Sequence, residues 1–94
     1  MIDMQKRLEC EVFGRVQLVM FRDFVQRKAR ARGIVGTVRN NPDGSVSVRA
    51  EGDEGKLREL LELIHRGSIL ARVDRVGEAW AGPLGEFKSF DILY

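Results

Sequence analysis

An α/β sandwich, with two helices on one face of an antiparallel sheet and a short extra C-terminal strand, is the fold class that three features of the sequence predict. Length comes first: 94 residues, with 44% apolar and 32% charged side chains, suit a single domain spanning 1–94 and leave no room for two. The apolar residues then change period along the chain, from two to helical and back, twice over. Short breaks at Gly33, Asn41-Pro42-Asp43-Gly44, Gly67-Ser68 and Gly82-Pro83 separate the segments.

Leu8, Cys10 and Val12 alternate with Glu9, Glu11 and Phe13, which is the pattern of a half-buried strand. Phe21, Phe24, Val25 and Ala29 fall at helical spacing opposite Arg27 and Arg30, and Gly33 is a natural left-handed stop, so a first helix is predicted there. Ile34 to Asn40 is a β-branched run. Beyond the Pro-Asp-Gly turn, Ser45 to Glu51 alternates cleanly, and the two segments predict an antiparallel hairpin. Asp53 is placed to cap a second helix by accepting its first free amides, while Leu57, Leu60, Leu61 and Ile64 recur at i, i+3, i+4 and i+7. That helix is expected to end near Arg66. Ile69 to Trp80 predicts a less regular strand, because Val73 and Val76 are three apart and share a face only beside a bulge. Phe90, Ile92 and Tyr94 predict a short last strand. The order βαββαβ divides into two similar halves, and right-handed crossovers place both helices on the same side, which makes the sandwich ferredoxin-like.

Composition narrows the chemistry. One cysteine, Cys10, excludes an internal disulfide, and with one histidine, His65, it leaves no set of soft ligands for a structural zinc. No cofactor or metal is expected. No apolar run approaches the roughly 20 residues that span a bilayer, and the opening Met-Ile-Asp-Met-Gln-Lys-Arg lacks the apolar core of a secretory leader. The expected state is a cytoplasmic monomer with no membrane partner. Net charge is +2, but it is unevenly spread: residues 1–47 hold nine Lys/Arg against five Asp/Glu, and residues 48–94 hold seven against nine. An anionic ligand therefore belongs to the N-terminal half.

The stretch Gly14-Arg15-Val16-Gln17-Leu18-Val19-Met20-Phe21-Arg22 joins the first strand to the first helix. A loop entering a helix N-terminus converges several amides on one point, where the helix dipole adds partial positive charge. Arg22, set in the first turn against that dipole, is a further reason to expect a bound oxyanion.

These residues carry a resemblance. Val12-Phe13-Gly14-Arg15-Val16-Gln17-x-Val19-x-Phe21-Arg22, followed by Gly36-x-Val38-x-Asn40-x-x-Asp43-Gly44-x-Val46, resembles the acylphosphatase signature, and Glu51-Gly52 and Phe90-x-Ile92-x-Tyr94 extend the likeness from about Leu8 to Tyr94. The resemblance implies a metal-independent hydrolase of carboxylic–phosphoric anhydrides, with a small-molecule acyl phosphate as substrate and inorganic phosphate as product. It assigns phosphate binding to Arg22 and orientation of the attacking water to Asn40. Arg15, Val16, Gln17, Leu18, Val19 and Met20 would form the phosphate-binding loop. Such residues suit such chemistry, because a carboxylate is a good leaving group and the task is to hold the phosphoryl oxygens and align a water.

Leu18 stands where the family usually has Gly, Met20 where a small or aromatic residue is commoner, Thr37 where an aromatic is usual, and Ser68 in a Gly-Pro position. The alternative reading is a non-catalytic anion-binding module with its cradle altered at Leu18, for which Asn40 has no evident use. RNA binding, which this strand order also supports, calls for aromatics on the central strands, whereas Val46, Val48 and Ala50 are not aromatic. No nucleic-acid partner is expected. Cys10 reads as a buried small hydrophobe, His65 as a cation suited to a helix C-terminus, and Trp80 and Tyr94 as core or edge packing.

Overall fold

The structure, a computed structural model, describes residues 4–17 and 20–94. Its elements are β1 (Gln5–Arg15), α1 (Phe21–Arg30), β2 (Val35–Asn40), β3 (Val46–Asp53), α2 (Glu54–Arg66), β4 (Arg72–Ala81) and β5 (Phe90–Leu93). The sheet order is β4-β1-β3-β2-β5. The ferredoxin-like arrangement holds, with one correction: β5 joins β2 in parallel, so the sheet is mixed and not wholly antiparallel.

The core follows the alternation seen in the sequence. Leu8, Cys10 and Val12 from β1 and Val46, Val48 and Ala50 from β3 are buried together with Phe21, Val25 and Ala29 of α1 and Leu57, Leu60 and Ile64 of α2. Asp53 caps α2, its Oδ2 accepting from the Lys56 amide at 3.2 Å. Val73 and Val76 both pack on the core because the β1–β4 register shifts, Phe13 facing Arg75 and Gly14 facing Val73. Asp74 is the extra residue of that bulge.

The expected strand from Ile69 starts three residues late. Gly67 has φ 72°, and the Ala71 amide donates to the Ser68 carbonyl at 3.1 Å. That turn leaves Ile69 and Leu70 outside β4 and in water. Trp80 is half-buried at the sheet edge, its indole N–H donating to Glu78 Oε1 at 3.1 Å and its ring 4.7 Å from the Arg58 guanidinium carbon.

Gly36 lies in β2 between Ala50 of β3 and Phe90 of β5 with φ 150°, a backbone conformation that L side chains rarely adopt. A methyl group there would overlap the Arg49 carbonyl oxygen. Gly36→Ala is therefore expected to destabilise the fold by about 2 kcal/mol, read as a drop of about 10 °C in Tm by circular dichroism. A Tm within about 2 °C of wild type would show that the strands separate here without penalty.

Candidate active site

The site forms where β1 hands over to α1. Gly14, at the bulge with φ 132°, lets β1 pass close to the β4 backbone. Arg15 is the last strand residue, registered against Arg72, so it sits in the sheet and not in the loop. Val16 is buried. Gln17 turns its side chain to the β2–β3 turn, donating from Nε2 to the carbonyls of Asn41 (2.8 Å) and Ser45 (2.9 Å). Leu18 and Val19 lie outside the described residues. Met20, the N-cap of α1, has φ 59° and ψ 25° and makes no side-chain capping bond. A non-glycine residue held left-handed costs roughly 1–2 kcal/mol, and such strain tends to persist where a neighbouring site needs it. Among the described residues the first-turn amides of α1 have no side-chain acceptor, in contrast to α2, where Asp53 accepts from the Lys56 amide.

Arg22 follows one residue into the helix. Its Nη1 donates to the Leu93 carbonyl at 3.1 Å, and its guanidinium carbon lies 4.9 Å from the centre of the Tyr94 ring. Among the described residues no carboxylate forms an ion pair with Arg22. Asp23 is turned instead to Arg27, with Nε to Oδ2 at 2.9 Å. Asn40 ends β2 opposite Val46, and its Oδ1 is buried with no hydrogen-bond partner among the described residues. Buried polar atoms are almost always satisfied, and of the three such side-chain atoms without a hydrogen-bond partner among the described residues, Asn40 Oδ1, Arg32 Nε and Ser68 Oγ, only that of Asn40 belongs to a residue lining the cavity of Arg22.

Arg22 and Asn40 line one cavity of about 340 Å³, together with Val16, Met20, Ile92 and Tyr94. The structure distinguishes Asn40 from its neighbour. Asn41 does not line the cavity; its Nδ2 is engaged by Glu11 Oε2 (3.0 Å), Ser45 Oγ (2.9 Å) and Ser47 Oγ (2.8 Å). Asp43 Oδ1 accepts from the Ser45 hydroxyl and amide, which hold its carboxyl below the usual range and brace the same turn. Gln17, expected as an amide donor, thus also works through its side chain, joining the loop to the turn that follows Asn40.

Tyr94 corrects an expectation, because it is exposed beside Arg22 and does not pack in the core or at an edge. The parallel pairing of β5 on β2 brings it there. Cys10 is buried on the inner face of the sheet, where desolvation first, then the charges of Glu78 and Glu11, push the thiol up to about 12. It is neutral and inert at physiological pH. His65 lies in the last turn of α2, exposed, and does not line the cavity. Among the described residues no group of three or more His, Cys, Asp or Glu is arranged to hold a metal ion.

Among the described residues, a guanidinium with no carboxylate partner, a helix start with no side-chain cap and an amide oxygen with no hydrogen-bond partner meet at one cavity, an arrangement chemically suited to an oxyanion beside a small polar molecule. The acylphosphatase family model matches residues 8–92. An acylphosphatase from Salinibacter ruber is 41% identical over 94% of this chain and 93% of its own length. One from Caldanaerobacter subterraneus is 44% identical, covering 95% and 99%. A crystal structure of acylphosphatase from Bacillus subtilis superposes with a TM-score of 0.91 at 36% identity, covering 95% of this chain and 99% of that one. The chain belongs to the acylphosphatase family and is a hydrolase of acyl phosphates.

Proposed function

We propose that the cavity performs this hydrolysis by in-line attack of an Asn40-oriented water on a phosphoryl group held by Arg22 and by the amides at the start of α1. The loop between β1 and α1, which follows Arg15, contributes further amides to the cradle. Arg22 has one N–H on Leu93 and others left for two phosphoryl oxygens, the bidentate geometry its planar fork favours. Asn40 Oδ1 accepts from the water and fixes its direction without removing its proton. The water oxygen bonds to phosphorus, the bond to the acyl oxygen breaks, and the proton passes to a phosphoryl oxygen. Carboxylate and inorganic phosphate leave. Charge is offset by Arg22 and the helix, so no metal is called for. Every group named belongs to one chain, so a monomer suffices.

The observation that carries this reading is that Arg22 and Asn40 line one cavity, with Asn40 Oδ1 lacking a hydrogen-bond partner among the described residues. A module that merely bound phosphate would use Arg22 and leave Asn40 Oδ1 without a role. The test is acetyl phosphate hydrolysis with EDTA present, followed with inorganic phosphate as inhibitor. Turnover is expected to be indifferent to EDTA and phosphate to compete with substrate. Activity abolished by EDTA, or phosphate inhibition that substrate does not relieve, would overturn the mechanism.

A further inference from the structure

We infer that a second, apolar groove, between α1 and the turn that joins α2 to β4, binds the acyl group of the substrate, and that Ile69 and Leu70 give the enzyme a preference for apolar acyl chains longer than acetyl. This rests on the catalytic reading of the neighbouring cavity. The groove encloses about 390 Å³ between Met20, Phe24, Lys28, Ile69 and Leu70, a volume within the range of small-ligand sites. Met20 also lines the cavity of Arg22 and Asn40, so the two hollows meet at that side chain.

Three large apolar side chains around the groove are left in water: Ile69 is 101% exposed, Met20 73% and Leu70 67%. One exposed apolar residue needs no explanation, but three around a groove that adjoins a reactive cavity mark a binding surface. Among the described residues no carboxylate lines the groove, and its charged rim is Arg27 and Lys28. An anionic substrate meets no repulsion there.

The stereochemistry of the reaction selects the same side. In-line displacement puts the attacking water and the departing carboxylate oxygen on opposite sides of phosphorus. Asn40, which holds the water, lines the first cavity and not the groove. The acyl chain therefore leaves the phosphoryl group away from Asn40, passes Met20 and lies against Phe24, Ile69 and Leu70. It forms and breaks no bond of its own and departs with its carboxylate.

Acetyl and hexanoyl phosphate decide the matter, because acetate and hexanoate are leaving groups of nearly equal basicity. A difference in kcat/KM then reports contact with the chain. At about threefold per methylene placed against an apolar wall, wild type should favour hexanoyl phosphate by at least about tenfold. Ile69→Ser combined with Leu70→Ser, both at exposed positions, should reduce the advantage to within about threefold, with acetyl phosphate turnover unchanged. Equal kcat/KM in wild type, or an advantage that survives the double substitution, overturns the groove as acyl site. So does a wild-type dimer in sedimentation that the double substitution dissociates, since the groove would then seat a second copy of the chain. Hydrolysis of neither substrate overturns the catalytic reading itself.

Discussion

Asn40→Ala is expected to lower kcat by about a hundredfold to a thousandfold while KM stays within about threefold, whereas Arg22→Ala should lower kcat/KM by about a thousandfold with KM raised. The two residues differ in when they act. In the mechanism proposed above Arg22 meets charge that the substrate carries before reaction and that redistributes over the phosphoryl oxygens during it, so binding and rate are expected to fall together. In the proposed mechanism Asn40 contacts the water alone, whose orientation matters once the new bond begins to form. Removing an amide whose Oδ1 has no partner among the described residues costs little stability, so the Asn40→Ala protein should melt close to wild type. Arg22 also holds the Leu93 carbonyl and faces Tyr94. Arg22→Lys separates these roles: it keeps a charge but loses the planar fork, and is expected to recover affinity more than rate. Steady-state kinetics with acetyl phosphate, beside thermal melts of each variant, checks all three. Full activity in Asn40→Ala would place water orientation elsewhere.

Much of this site was legible in the sequence because local rules and the family motif agree there. Strand alternation around Val46, Val48 and Ala50 shows plainly when one face of a sheet is buried; Asn40 ends such a strand, and Arg22 stands in the first turn of a helix whose period is equally plain. Pairing partners of β5 were not legible. Phe90, Ile92 and Tyr94 alternate as any edge strand would, and their parallel register on Gly36 to Arg39 depends on a contact more than fifty residues away. The placement of Tyr94 beside Arg22 was hidden for the same reason. Ile69-Leu70 reads as the start of a strand by composition, but the left-handed Gly67 and the turn at Ser68 end that possibility, and only the fold shows that both residues border a groove. Met20, singled out for its side chain, turns out to matter for its backbone, with φ 59° at the helix cap. Leu18, the sharpest departure from the family motif, lies outside the described residues. The buried pairing of Arg7 with Glu51 was the largest omission, since charges at alternate strand positions read as a solvated face.

That omitted pair underlies the largest expected change in stability. Arg7 and Glu51 are directly opposed across β1 and β3, on the face away from the helices, yet each side chain is only 6% exposed. What covers them is the connection from β4 at one edge of the sheet to β5 at the other. Glu51 Oε2 accepts from Arg7 Nη1 at 2.8 Å and from the Leu84 amide at 2.9 Å, and Oε1 accepts from the Gly85 amide at 3.1 Å. Phe87 closes over the guanidinium, its ring centre 5.4 Å from the Arg7 carbon. The clasp fixes the segment that delivers Leu93 and Tyr94 to Arg22. Glu51→Ala leaves the Leu84 and Gly85 amides without their acceptor and Arg7 with Glu9, whose Oε2 accepts from Nε at 2.9 Å, as its remaining close partner, and should destabilise the fold by about 3 kcal/mol, roughly 15 °C in Tm. Its pH dependence gives a second, sharper reading. Burial alone would raise the Glu51 pKa, but the Leu84 amide, Arg7 and the Gly85 amide together outweigh it and hold the carboxyl below its ordinary value. A carboxyl depressed in the folded state contributes fully above the unfolded-state value of about 4.3, and loses that contribution as pH falls through the folded value. Urea melts at neutral pH should therefore separate wild type from Glu51→Gln widely, and melts at progressively lower pH, starting near 4, should bring the two together. Asp43, also held low, titrates in both proteins and leaves the difference untouched. A gap between wild type and Glu51→Gln that stays constant from neutral pH into the acid range would mean that Glu51 acts as packing alone and that its charge does not hold the crossing segment.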